Sequence, residues 1–309
     1  MEAHRDKTRT KRPTSSATGA GGRRGAARPR KRKSSRSGKK GGYRRLFGRC
    51  SVWTVLLGAL LLMAACLFFF YYFFIGPFSF RWKAMYGEPV YPAGFDVHGI
   101  DVSHYQETVD WELLRNASLD TSPVSFVFIK ATEGMTLMDD NFNLNFYEAR
   151  RNDFIRGAYH FFVPEVDARR QAEFFLKQVH LEPGDLPPVL DVEKAGNLSD
   201  EQLRKAVKTW LDIVEKKYGV KPIIYTGYRF KLRYLNNETF NEYPYWIAHY
   251  YVEKLEYKGQ WTFWQHTDRG TVKGIRGNVD CNIFNGTYEE LLELTIKDPD
   301  EDIQPPVQD

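Results

Sequence analysis

Cysteine is scarce: the chain has only Cys50, Cys66 and Cys281 in 309 residues. The first two flank or lie within a long apolar run and Cys281 stands alone after it, so no intrachain disulfide can staple the region beyond the run. No Cys/His spacing suits a metal, and neither a metal nor an organic cofactor is expected. Charge is absent from Val52 to Ile75, a run of 24 residues. Large apolar side chains are nearly absent from residues 1–49, which hold 18 Lys/Arg against two acids. The remainder is the reverse, 37 acids against 26 Lys/Arg, although the whole chain carries +5.

Each absence has a consequence. A segment without apolar bulk cannot offset its chain entropy, so residues 1–49 read as a disordered basic tail. Its runs, such as Arg28-Pro-Arg-Lys-Arg-Lys33, could serve nucleic acid. Beside a membrane span, attraction to anionic lipid headgroups is the favoured reading, and no nucleic-acid partner is expected. The 24 uncharged residues at 52–75 suffice for one transmembrane helix through the lipid bilayer. The run exceeds the apolar core of a signal peptide and continues nine residues beyond Cys66, which argues against a lipid-attached cysteine. The positive-inside rule then puts the tail in the cytoplasm and the rest in the periplasm or facing the wall, as a single-pass protein of the cell membrane. Residues 76–96, with Gly87, Pro89, Pro92 and Gly94, read as a linker, 97–298 as one domain, and 299–309 as an acidic tail.

Within 97–298 strand-like and helix-like segments alternate. Strands are predicted at His98–Ser103, Ser125–Lys130, Ile155–Phe162, Val189–Glu193, Pro222–Thr226, Tyr245–Tyr250, Trp261–His266 and Asn278–Phe284. Helices are predicted at Asp110–Asn116, Asn141–Asn152, Asp167–Val179, Asp200–Tyr218 and Thr287–Lys297. The helix at Asp200 is the clearest: Ser199 can cap it, Leu203, Val207, Trp210, Leu211 and Val214 form its apolar stripe, and Gly219 ends it. Such alternation predicts an α/β fold with a parallel sheet and covering helices. Eight strands suggest closure into a (β/α) TIM-like barrel, with chemistry at the carboxyl ends of the strands.

Those ends carry acids and aromatics. Leu186-Pro-Pro-Val-Leu-Asp-Val-Glu193 places Asp191 and Glu193 two apart at the end of an apolar strand, on one face. Close acids push each other's pKa values apart and leave one protonated near neutral pH, which a glycosidase acid requires. Asp101 and Asp280 add two more carboxylates; Tyr159, Tyr225, Trp246, Trp264 and Gln265 add faces and donors for a sugar. Duller readings stand beside these. Asp101 could cap a turn, Asp280 could pair with Lys130 or Arg276, Glu133 could pair with Lys130, His160 reads as a satisfied core histidine, and the tyrosines and tryptophans could be core.

Gly99-Ile-Asp-Val-Ser103, Phe128-Ile-Lys-Ala-Thr-Glu-Gly134, Gly157-Ala-Tyr-His-Phe161, Asp191-Val-Glu193 and Val279-Asp-Cys-Asn282, in this order, resemble glycoside hydrolase family 25, the lysozyme-type muramidases. The resemblance covers about Val97 to Leu294. It implies an irregular, flattened β/α barrel and hydrolysis of the β-1,4 bond between N-acetylmuramic acid and N-acetylglucosamine in peptidoglycan glycan strands. It implies Glu193 as general acid and base, Asp191 as support for an attacking 2-acetamido group, and Asp101 and Asp280 as further cleft acids. Gln265-His266-Thr267 departs from the family's Trp-Gln-Tyr, and the missing tyrosine is expected to alter one sugar subsite. Two other readings are carried: a catalytically inactive peptidoglycan-binding module of an envelope complex, and action on another N-acetylhexosamine polymer such as chitin.

Overall fold

The computed structural model describes residues 51–75 and 90–298. The basic tail 1–49, most of the linker 76–96 and the acidic tail 299–309 lie outside the described residues.

Helix α1, Val52–Phe70, continues as a wider-wound turn over Tyr71–Ile75. Its 24 residues are long and apolar enough to cross a membrane, and none of their side chains is buried. Four-residue spacing stacks Phe69 on Phe73 at 5.6 Å and Phe70 on Phe74 at 5.4 Å.

The second unit is an eight-stranded closed barrel. Its strands are β1 (His98–Val102), β2 (Ser122–Glu133), β3 (Ile155–Phe161), β4 (Val189–Asp191), β5 (Ile223–Gly227), β6 (Tyr245–Ala248), β7 (Phe263–Gly270) and β8 (Val279–Phe284). Each pairs with the next, and β1 pairs with both β2 and β8, which closes the ring. From β1 to β7 the pairs are parallel, as predicted. The eighth strand departs from that expectation and runs antiparallel to both neighbours. The connection 271–278 explains the reversal: a parallel crossover needs about a dozen residues, and this one is shorter, turning through Gly274 (φ 97°) and Gly277 (φ 80°). Two further two-residue strands, Ser118–Leu119 and Leu137–Met138, pair with the ends of β2 and were not anticipated.

The outer layer comprises α2 (Trp111–Arg115), α3 (Phe142–Arg151), α4 (Ala168–Gln178), α5 (Asp200–Tyr218) and α6 (Tyr288–Leu294). In α5 Ser199 Oγ accepts from the Gln202 amide, the Gln202 side chain accepts from the Ser199 amide, and the predicted five-residue stripe is buried. Gly219 ends it at φ 72°. Between β5 and β6 three short helical turns replace one crossover helix.

Apolar side chains fill two regions, one between strands and helices and one inside the barrel. Inside, Phe126 and Phe128 on β2 reach across to Phe263 and Trp246. Two glycines make room: a Cβ on Gly99 would lie 2.5 Å from the Phe126 ring, and one on Gly157 would lie 2.6 Å from the Phe128 ring. The aromatic plug fills the barrel interior below the strand ends that carry the acids.

Candidate active site

Along β1, side chains alternate between the two faces, so Gly99 and Asp101 share the inner one. The same alternation carries Gly157, Tyr159 and Phe161 inward on β3, and Phe263 and Gln265 inward on β7. Above the plug these inner positions turn polar. Asp101, Tyr159, Asp191, Glu193, Tyr225, Trp246, Gln265 and Asp280 line one cavity of about 250 Å³. Asp280 reaches it because β8 is reversed: it sits near the start of its strand, directly opposite Asp101 on β1.

One predicted aromatic is not brought there. Phe263 and Gln265 face inward, so Trp264 faces out, and its Nε1 donates to the His249 carbonyl at 2.9 Å. His266 is likewise off the cavity, buried against Tyr91 with ring centroids 5.6 Å apart. Of the three residues at which the sequence departs from the family motif, Gln265 lines the cavity, whereas His266 and Thr267 do not.

A chain of donors converges on Asp101. Tyr225 and Tyr250 donate their hydroxyls to Gln265 Oε1 at 2.6 and 2.5 Å, and Gln265 Nε2 donates to Asp101 Oδ2 at 2.7 Å. From the other side Trp246 Nε1 donates to Asn282 Oδ1 at 2.7 Å, and Asn282 Nδ2 donates to the same Asp101 oxygen at 2.8 Å. Burial holds the Tyr225 hydroxyl well above its ordinary pKa, so it remains a donor. Asn282 was legible in principle, since it stands two residues from Asp280 on one strand face. Tyr250, predicted as the last residue of its strand, lies two residues past the end of β6 at Ala248, and its parity with Trp246 was the signal that could have marked it.

Asp101 and Asp280 are hydrogen-bonded to each other. Burial first, and the charge of Asp280 second, hold the Asp101 carboxyl well above the usual carboxylate range. Asp280 is pushed up to about 6, again first by burial and then by Asp268. The pair holds one proton near neutral pH, with Asp101 the donor.

Asp191 is 5% exposed. Burial, reinforced by the charge of Glu193, raises its pKa well above the ordinary value. Its Oδ1 is buried and has no hydrogen-bond partner. Strand β4 stops at this residue, two short of the prediction, because the next carbonyl, that of Val192, accepts from Thr226 Oγ1 at 2.6 Å. Glu193 is thereby released to the rim, where it is exposed but still lines the cavity.

Other candidates settle as structural. His160 is fully buried between Thr132 Oγ1 (2.8 Å from Nδ1) and Gln171 Oε1 (3.2 Å from Nε2), and burial pushes its pKa down to about 3. Lys130 Nζ donates to Glu133 Oε2 at 2.7 Å while its stem lines the cavity.

Carboxyls in proton-sharing range, walled by tyrosine and tryptophan at the mouth of a β/α barrel, define a glycoside hydrolase site. The sequence model of glycosyl hydrolases family 25 matches residues 100–275, and the chain belongs to that family. It is 51% identical over 201 residues to the uncharacterized protein YegX of Escherichia coli K12, covering 65% of this chain and 74% of that protein. It is 34% identical over 213 residues to lysozyme M1 of Streptomyces globisporus, covering 64% and 71%. A solved family 25 glycosyl hydrolase from Bacillus anthracis superposes with a TM-score of 0.60 at 30% identity, covering 68% of this chain and 98% of that one.

Proposed function

We propose that the chain is a membrane-anchored muramidase that cleaves the β-1,4 bond between N-acetylmuramic acid and N-acetylglucosamine in peptidoglycan. One observation carries the reading: the buried, unpartnered Oδ1 of Asp191 beside Glu193 at the cavity. An unpaired buried oxygen is costly, and an acetamido N–H of a bound amino sugar is the partner that would satisfy it.

In the proposed reaction Glu193 gives its proton to the glycosidic oxygen as the C1–O bond breaks. The acetamido carbonyl oxygen of the same sugar bonds to C1, and the resulting cyclic cation is held by an N–H hydrogen bond to Asp191. Water then attacks C1, returns a proton to Glu193 and reopens the ring, with the configuration at C1 retained. Asp101 and Asp280 hold a proton on the far wall and orient the sugar. Tyr159, Tyr225, Trp246 and Gln265 provide its stacking and hydrogen-bonding surface.

The apolar helix 52–75 anchors the enzyme, with the basic tail at the anionic cytoplasmic face and the barrel on the wall side. Release of reducing ends from purified peptidoglycan tests the reading, with Glu193→Gln expected to abolish it while the far-UV spectrum stays unchanged. Unaltered turnover by Glu193→Gln removes the assignment, and wild-type binding without turnover favours a wall-binding module. A mature chain beginning after residue 75 in its native host would replace the anchor by a signal sequence.

A further inference from the structure

Four carboxyls, Asp101, Asp191, Glu193 and Asp280, line the cavity, and the part of their charge that is not neutralised by protons repels an anionic substrate. Among the described residues, two cations stand against a ring that lines the cavity, Phe161 at the end of β3. Lys130 Nζ lies 5.3 Å and Lys194 Nζ 5.2 Å from the centroid of that ring, which itself lines the cavity. The two cations are not equivalent. Lys130 is largely buried and held by Glu133 at 2.7 Å. Lys194 is exposed, follows Glu193 directly and forms no ion pair among the described residues. By strand order this side, β3 and β4, lies across the barrel from Asp280 on β8.

We propose that Lys194, seated on the Phe161 ring, is a specificity-determining residue that receives a carboxylate carried by the hexosamine bound beside Glu193. The inference rests on the muramidase reading and deepens it. Under that reading every second sugar bears a lactyl group, which ends in a free carboxylate on bare strands and in a peptide with its own carboxylates on substituted ones. An acid-lined cleft admits such a chain when its anionic substituent is turned toward Lys194, a cation held in no ion pair among the described residues. A lysine suits this task because its ammonium is a compact charge on a flexible stem that can leave the ring face to meet the ligand. The charge also orients the strand, with the carboxylate on the β3–β4 side and unsubstituted faces toward Asp280. A neutral polymer of the same sugars gains nothing from Lys194.

The test uses the full chain in detergent micelles with three ligands: peptide-free glycan strands, the same strands with their lactyl carboxyls amidated, and peptide-bearing strands. Dissociation constants are measured in the Glu193→Gln background and KM and kcat in the active enzyme, for Lys194, K194A, K194E and K194R. Expected for K194A on peptide-free strands is a rise of about two- to five-fold in Kd and KM, the size of an exposed ion pair, with kcat little changed. K194E should weaken binding further, K194R should restore it, and added salt should shrink the differences. On amidated strands all four should bind alike. A Lys194 effect confined to peptide-bearing strands assigns the carboxylate to the peptide. Equal Kd values for Lys194, K194A and K194E on both carboxylated ligands overturn the proposal. A wild-type chain that binds strands and hydrolyses none sinks the muramidase reading instead, while the Kd series still decides Lys194.

Discussion

Asp101 and Asp280 are direct partners across the antiparallel β1–β8 pairing, and their side chains share a hydrogen bond inside the cavity mouth. The protonated carboxyl is the one that also accepts from Gln265 and Asn282. This arrangement sets up the first two predictions.

Asp101→Asn should keep the fold and raise its stability. The new carbonyl can accept from Gln265 and Asn282 while the amide nitrogen donates to Asp280, as the protonated acid does. An aspartate raised by burial loses relative stability as pH climbs through the unfolded value near 3.8, so removing it helps at pH 7. Thermal unfolding should rise by about 2–4 °C for each kcal/mol gained. Turnover of peptidoglycan, measured alongside, should fall at least about tenfold.

Asp280, pushed up to about 6, should appear in the pH dependence of kcat/KM. Above that value it is charged and accepts the Asp101 proton; below it both acids are neutral. The wild-type profile should show an ionisation of the pair near pH 6, and Asp280→Asn should remove it. A profile that keeps the ionisation would exclude the pair as its source.

Gln265→Met keeps similar bulk but leaves the hydroxyls of Tyr225 and Tyr250 without their acceptor, and removes one of the two amide donors to Asp101. Asn282 still donates to Asp101, so the cost falls mainly on the two tyrosine hydroxyls: about 2–4 kcal/mol in urea unfolding is expected, from buried polar groups left unpaired. A variant as stable as the parent would mean that water takes over these bonds.

Gly157→Ala should disturb the cavity from below. Its Cβ would meet the Phe128 ring at 2.6 Å, and that ring stacks on Trp246 at 4.3 Å. Overpacking of about 1–3 kcal/mol is expected, together with reduced turnover because Trp246 lines the cavity. Adding Phe128→Leu should recover much of the stability, as read by thermal unfolding of the double variant.

His266 should make the barrel acid-sensitive. Burial, with the charge of His98 second, pushes its folded pKa down to about 3. The unfolded chain takes up a proton below about 6.5 while the folded one does not, so stability is full above 6.5 and declines as pH falls toward 3. Each pH unit in that window costs about 1.4 kcal/mol. His266→Phe should flatten the slope between pH 6.5 and 4 in urea unfolding, relative to wild type.

Much of this architecture was legible before any coordinates. α5 could be read residue by residue, because capping, stripe and left-handed glycine are local and its packing agrees with them. The cores of all eight strands could be read for the same reason, as short apolar runs bounded by turn residues. The direction of β8 could not, since alternation reads the same both ways; the short connection 271–278 decided it. Trp264 shows the limit of a period of two. The pattern says that Trp264 and Gln265 face opposite ways, and only register with the neighbouring strands says which faces in.

What the sequence determined by itself is the chemistry on offer: carboxyls, amides and aromatic rings at strand ends, in an order matching one hydrolase family. Which of those groups are dehydrated, and which therefore hold protons, was decided only by the closed barrel. Asp191 is buried at a cavity it shares with Tyr159, Tyr225 and Trp246, none of them its neighbours along the chain. Desolvation is set by whatever surrounds a group in space, and eight strands must close before Asp101 and Asp280 can meet.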